Sequence, residues 1–221
     1  MSTMLLVRPP GVYRAQSDSG LVAEVMQRTG AAAGRDVLDL CTGSGAVALV
    51  AHRAGARSVT AVDLSRRSVA AARFNARMHG VPLTVLQGDL FAPVAGRRFG
   101  LVVANPPYVP AAAQRLPRHT RGRSWDAGTD GRAVLDRICA GAAAVLEPDG
   151  ELLLVQSALS GVGATLDALD AGGLAGTVLA TADIPFGPVL RSRAALLAAR
   201  RLIQPGQRTE EIVVVGARHA C

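Results

Sequence analysis

The 221-residue sequence predicts an α/β fold, with seven strands in a mostly parallel sheet and helices on both faces. Three observations carry that expectation. Short apolar strands alternate with helical patterns from residue 36 onwards, which is the signature of βαβ units. A Gly-x-Gly turn follows the first strand, at the edge where open α/β sheets bind ligands. The segment Asn105-Pro106-Pro107-Tyr108 ends the fourth strand.

The predicted strands are Asp36 to Leu40, Ser58 to Asp63, Leu83 to Gln87, Phe99 to Ala104, Glu151 to Gln156, Thr177 to Ala182 and Glu211 to Val215. Between the first two, Val47, Val50, Ala51 and Ala54 recur at helical spacing and Gly55 supplies a stop. The next helix starts at Ser65 as N-cap, buries Ala70, Phe74 and Met78 on one stripe, and ends at Gly80. Residues 132–146 repeat the pattern through Val134, Ile138, Ala142 and Val145. Helices that bridge successive strands imply right-handed crossovers. The chain reads as one domain over residues 1–221. Residues 1–35 form an N-terminal segment packing over the ligand, and residues 183–208 form an Arg-rich insertion with a helical segment of its own.

Composition narrows the function classes. No apolar run approaches the roughly 20 residues of a membrane span, and the opening Met1 to Pro10 is too quickly broken for a secretory signal, so a cytoplasmic location with no membrane partner is expected. Cys41, Cys139 and Cys221 have neither the number nor the spacing of a disulfide framework or a metal site. All 24 basic residues are arginine, giving a net charge of +7 and a sequence pI near 10.8. That balance permits an acidic partner, although a compositional preference for arginine explains most of it.

The loop Cys41-Thr42-Gly43-Ser44-Gly45 needs glycine because the backbone must turn tightly and approach a ligand closely. Alone it also fits a dinucleotide site. Asp39, Asp63 and Asp89, each at or just beyond a strand end, would converge on one sheet edge as an adenosine pocket, with Asp63 accepting from ribose and Asp89 from the adenine amine. Asp39 precedes the glycines, where a carboxylate opposes a pyrophosphate but suits the cationic amino acid end of S-adenosylmethionine. The acidic pocket therefore favours that cofactor.

Two consecutive prolines hold the backbone after Asn105 extended, so the Pro106 carbonyl and the Asn105 side-chain oxygen can grip both hydrogens of a planar NH2 group. Its lone pair then faces the methyl donor, and Tyr108 offers a stacking face. Positioning of this kind can be worth ~7 to 11 kcal/mol in well-aligned intramolecular reactions. Among the histidines, His52, His79 and His219 read as surface residues, while His119 lies near the site. Cys41 reads as a small packing residue, and Trp125, the only tryptophan, as loop packing.

On these residues the chain resembles the HemK family of S-adenosylmethionine-dependent methyltransferases, most of all its short archaeal and eukaryotic branch. The resemblance rests on the Asp-x-x-Thr-Gly-Ser-Gly loop, Asn105 to Tyr108, Val12-Tyr13 with Asp18-Ser19, and Trp125 to Arg132. It implies a Rossmann-like class I methyltransferase whose last strand is antiparallel. It places Asn105, Pro106, Pro107 and Tyr108 at the reaction. It assigns cofactor contacts to Tyr13, Asp18, Ser19, Asp39, Cys41, Thr42, Gly43, Gly45, Asp63, Leu64, Asp89, Leu90 and Asn105. It implies as acceptor the glutamine amide of a protein such as a translation release factor, with a small activating subunit as a candidate partner.

The chain departs from the family at Arg14 to Ser17 and in two arginine clusters, Arg115, Arg118, His119, Arg121 and Arg123 after Tyr108, and Arg191, Arg193, Arg200, Arg201 and Arg208 in the insertion. These clusters keep alternatives open. A nucleic acid base offers an exocyclic amine, with arginines on its phosphates; a small amide or amine would need the clusters as a lid; and a silent cofactor-binding domain would use neither.

Overall fold

The computed structural model describes residues 4–10, 12, 17–114 and 125–220. Tyr13 and the cluster Arg115, Arg118, His119, Arg121 and Arg123 lie outside the described residues, as does Cys221. The elements are α1 (Ser17–Thr29), β1 (Asp36–Leu40), α2 (Ala46–Arg53), β2 (Ser58–Asp63), α3 (Arg66–Met78), β3 (Leu83–Gln87), β4 (Phe99–Ala104), α4 (Leu135–Val145), β5 (Leu146–Ser157), α5 (Val162–Ala171), β6 (Leu174–Pro185), α6 (Pro188–Ala199) and β7 (Thr209–His219). Among the described residues no helix is long and apolar enough to cross a membrane.

The sheet order is β3-β2-β1-β4-β5-β7-β6. Pairing is parallel from β3 through β5, and β7 runs antiparallel to both β5 and β6. Strand order reverses between β1 and β4, where Leu40 lies opposite Ala104. The two loops leaving that point diverge to opposite sides of the sheet and open a crevice at its carboxyl edge. Phe99 to Ala104 are buried throughout, as a strand covered on both faces must be. α1 lies beside α2 and α4 beside α5.

The β1, β2, β3 and β4 boundaries coincide with those read from the sequence, while β5, β6 and β7 run further at both ends. The extra length of β6 and β7 forms an antiparallel hairpin paired from Leu174 with His219 to Pro185 with Thr209. α4 buries Ile138, Ala142 and Val145 as expected, and Leu135 and Cys139 besides. α1 and α5 had no assigned counterpart in the sequence; Gly161 at the N-cap of α5 and Gly163 in its first turn interrupt the local signal.

The buried face of α3 corrects the sequence expectation. Ser65 does cap it, accepting from the Ser68 amide at 3.4 Å, but Ala70, Phe74 and Met78 point outwards, Phe74 being 53% exposed. Val69, Ala71, Ala72, Asn75 and Ala76 face the sheet instead. Close approach is the reason. A Cβ on Gly45 would sit 3.2 Å from the Ala72 Cβ, so only small residues fit where α3 meets the glycine loop.

Asn75 is fully buried within this contact. Its Oδ1 accepts from the Val7 amide at 2.8 Å, and its Nδ2 donates to the Val7 and Ser44 carbonyls at 3.0 and 2.9 Å. One side chain thus pins the N-terminal segment and the glycine loop to α3. Asn75→Ala is expected to lower unfolding free energy by about 1–3 kcal/mol, because it strands buried backbone groups; urea denaturation followed by circular dichroism checks this.

Candidate active site

The glycine loop builds one wall of the crevice from backbone geometry. Gly43 and Gly45 have φ of 57° and 85°, and Cys41 shares the left-handed region at 58°. A non-glycine residue there costs on the order of 1–3 kcal/mol, and such residues collect at ligand sites. Leu90, beyond β3, is the second at this edge, with φ 48°. Burial and the carboxylates of Asp63, Asp39 and Asp89 push the Cys41 thiol well up, which keeps it protonated, in keeping with a packing role.

Asp39 is 2% exposed. Its Oδ2 accepts from the Thr42 hydroxyl at 2.5 Å and from the Ala48 amide at 3.1 Å, while Oδ1 has no partner among the described residues. Burial pushes its pKa up to about 7; the bonds from Thr42 and Ala48 pull it down, and Asp63 nearby adds to the rise. Asp63 ties the two loops together, accepting from the Gly43 amide at 2.9 Å and the Ser65 amide at 2.8 Å. Asp89 is turned towards α4, where it pairs with Arg137 at 2.8 Å and is half-exposed. Leu64 faces solvent.

The second wall is the Asn-Pro-Pro-Tyr segment leaving β4. Asn105 Nδ2 donates to Asp18 Oδ2 at 3.1 Å and to Ser19 Oγ at 3.0 Å. The Tyr108 hydroxyl donates to the same Asp18 oxygen at 3.0 Å, and Asp18 Oδ1 accepts from the Ser19 amide at 2.7 Å. The start of α1 therefore anchors the motif, a different use of Asp18 from the cofactor contact expected of it. Tyr108 is 7% exposed, so its hydroxyl and most of its ring serve this anchorage.

The main chain of Tyr108 is held from the other side. Ser160 Oγ donates to the Tyr108 carbonyl at 2.8 Å, and a Cβ on Gly131, whose φ is 78°, would stand 2.4 Å from that carbonyl. Val109 and Ala111 continue into a short ladder with Trp125 to Gly128: the Val109 amide donates to the Trp125 carbonyl at 2.8 Å and the Ala111 amide to Gly128 at 2.7 Å. Trp125 is partly buried against the core, as its packing role requires. Arg132 fastens this segment to the Ser160, Gly161 and Thr165 oxygens.

Between the walls lies a narrow cleft that opens to solvent. Of the expected residues, Ser19, Asp39, Cys41, Thr42, Gly43 and Asn105 line it; Ser44, Ala46 and Val47 complete it. Gly45 supports the wall from behind, and Asp18, Asp63, Leu64, Asp89 and Leu90 stand around the cleft and not in its lining. A buried carboxylate at a left-handed glycine turn, with a second carboxylate at the rim, fits a ligand with a cationic amino acid end and a nucleoside. Gly131, Ser160 and Glu210 escaped the sequence reading. Only Gly131 left a signal, within the segment before α4. Glu210 is 6% exposed and its pKa is pushed to about 7 by burial, with Ser157 pulling it down and Asp18 adding to the rise. Among the described residues no group of three or more His, Cys, Asp or Glu could hold a metal ion.

Residues 3–120 match the methyltransferase small domain model. A Methanocaldococcus jannaschii protein with the provisional name protein N5-glutamine methyltransferase is 29% identical over 177 residues, covering 80% of this chain and 88% of that protein. The release factor glutamine methyltransferase of Moorella thermoacetica is 38% identical over 153 residues, covering 66% of this chain and 54% of its own length. The chain thus spans about half the length of that bacterial relative. Among solved structures, the E. cuniculi Mtq2-Trm112 complex, which is responsible for methylation of the eRF1 translation termination factor, superposes with a TM-score of 0.67 at 20% identity, covering 95% of this chain and 99% of the matched one.

Asp39 and Glu210 hold their protons more tightly folded than their ordinary values of 3.8 and 4.5 allow. A raised acid contributes stability that is complete below the unfolded pKa and is lost as pH rises to the folded one. Their contribution to the stability of the ligand-free protein is therefore expected to fall between about pH 4 and pH 7 and then level off. Denaturant titrations at stepped pH check this, and Asp39→Asn and Glu210→Gln should each flatten the fall.

Proposed function

Because the chain belongs to the methyltransferase small-domain family, we propose that it transfers the methyl group of S-adenosylmethionine to the side-chain amide nitrogen of a glutamine in a protein of the translation machinery. The observation that carries this reading is the orientation of Asn105. Its Nδ2 faces the Asp18 carboxylate, and a carboxylate only accepts, so the amide is locked with Oδ1 turned away. Oδ1 and the Pro106 carbonyl then form the pair of acceptors that an NH2 group requires.

S-adenosylmethionine, when bound, supplies a methyl group on a positively charged sulfonium. The protein supplies position and charge. Asp39 Oδ1 would accept from the cationic amino acid end, and Asp63, held by the amides of Gly43 and Ser65, would accept from the ribose hydroxyls. Asp89, which pairs with Arg137, would also receive the adenine amine, and the Gly43 and Gly45 turn would let main chain meet ligand without an intervening Cβ. Asn105 and Pro106 hold both amide hydrogens, which aims the nitrogen lone pair along the line of transfer and stabilises charge developing there. One N–C bond forms and one S–C bond breaks with its electron pair left on sulfur, and one amide proton passes to water.

The relatives that are glutamine methyltransferases support this acceptor, and the same reading carries a small partner subunit, as in the E. cuniculi complex. Incubation with labelled S-adenosylmethionine and a release factor bearing a Gly-Gly-Gln loop should place one methyl on the glutamine, read by peptide mass spectrometry. Absence of label there sinks the acceptor assignment. Asn105→Ala should lower kcat by on the order of a hundredfold or more, the scale for losing one preorganised hydrogen-bonding partner, when measured at saturating S-adenosylmethionine.

A further inference from the structure

α6 belongs to neither of the two cofactor-facing loops, yet it stands at the acceptor side of the site. Ser157, at the carboxyl end of β5, pairs with Ile212, and Pro185 pairs with Thr209. The tip of the β6–β7 hairpin, which carries α6, therefore overhangs the edge of the sheet from which Asn105 projects. Leu190 and Leu197, seven residues apart and on one face of α6, are buried together with Phe186 and Ile203 at its two ends. Apolar packing is enough to hold the helix down.

Two arginines of α6 and its C-cap do something else. Arg193 Nη1 donates to the Pro110 carbonyl at 3.0 Å, and its Nη2 pairs with the Asp126 carboxylate at 2.5 Å, with both side chains largely buried. Arg200 Nη1 donates to the Ala111 carbonyl at 2.8 Å and the Thr129 carbonyl at 3.3 Å, and its Nη2 to the Ala112 carbonyl at 3.1 Å. Three consecutive carbonyls beginning two residues after Tyr108 are thus fixed from one helix, while the amides of Val109 and Ala111 are fixed from the other side by Trp125 and Gly128. Charged donors on neutral carbonyls make bonds of the stronger kind, and the planar fork sets direction as well as distance.

We propose that α6 is the acceptor-selecting wall of the site, and that Arg193 and Arg200 are positioning residues which set the fit of the acceptor polypeptide through the backbone of residues 110–112. The proposal rests on the methyl-transfer reading above and deepens it. The wall is placed by hydrogen bonds to main chain, so side chains in it can change without altering its course. Among the described residues neither arginine hydrogen-bonds to the cofactor loop, so selection and cofactor binding are separable.

The test compares the wild type with the Arg193→Ala/Arg200→Ala double variant, with Arg193→Lys, and with Arg191→Ala/Arg201→Ala, whose guanidinium groups have no partner among the described residues. The acceptor probe is the release factor with its Gly-Gly-Gln loop, and the cofactor probe is S-adenosylhomocysteine. The double alanine variant should raise KM for the release factor about tenfold, with kcat and S-adenosylhomocysteine affinity within about twofold of wild type, and should shift Trp125 emission to the red. Arg193→Lys keeps the Asp126 ion pair and should recover most of KM; Arg191→Ala/Arg201→Ala should match wild type. An unchanged KM overturns the proposal, and so do KM, kcat and S-adenosylhomocysteine affinity deteriorating together, which marks a scaffold role. A wild type that binds S-adenosylhomocysteine but leaves the release factor unmethylated removes the acceptor reading and this proposal with it, an outcome recognised in the wild type alone.

Discussion

Asp18 is a buried acceptor at the start of α1, 1% exposed, onto which Asn105, Ser19 and Tyr108 all converge. A carboxylate in that position would be costly without donors, and the donors it gathers come from two chain segments far apart in sequence. The debt each group would incur alone is cancelled when all four meet. This requirement fixes the angle of the Asn-Pro-Pro-Tyr segment more firmly than the two prolines could, since prolines stiffen the chain but do not aim it. It also couples the N-terminal helix to the end of β4.

The opposite face obeys a different constraint. There the backbone itself approaches the ligand, and the limits are steric: left-handed turns at Gly43 and Gly45, and alanines on α3 where larger residues would intrude. The same limit expels Phe74 and Met78 to the surface. Asp39 then lies at the closed end of a dry turn, where burial holds its carboxyl partly protonated near neutrality. A cationic ligand relieves that cost.

The parallel half of the fold was legible because its strands are continuous apolar runs punctuated by glycine, and the β1 to β4 boundaries follow directly. Asp39, the glycine loop and Asn105 were legible as well, since their chemistry is local to a strand end. What was hidden depends on residues far apart. The partnership of Asp18 with Asn105 spans 87 residues, and no periodicity announces it. Gly131 and Ser160 matter because they meet the carbonyl of Tyr108, a main-chain atom with no side-chain signature. The α3 stripe was misjudged because hydrophobicity ranked Phe74 and Met78 above alanine, whereas the interface rewards small volume. The arginines showed their charge in the sequence but not their partners: Arg35, Arg73, Arg98, Arg132, Arg193 and Arg200 each donate to carbonyls of their own chain.

The antiparallel hairpin of β6 and β7 has a consequence for how such a molecule can change over time. A crossover between parallel strands must return through the whole thickness of the domain, so altering its length disturbs the layers around it. A hairpin returns at its own tip. Residues added or removed between Pro185 and Thr209 leave the register of β7 with β5 and that of β6 with β7 untouched, which makes this a place at the reactive edge where a helix can be grafted, lengthened or discarded without disturbing the adenosine-binding half.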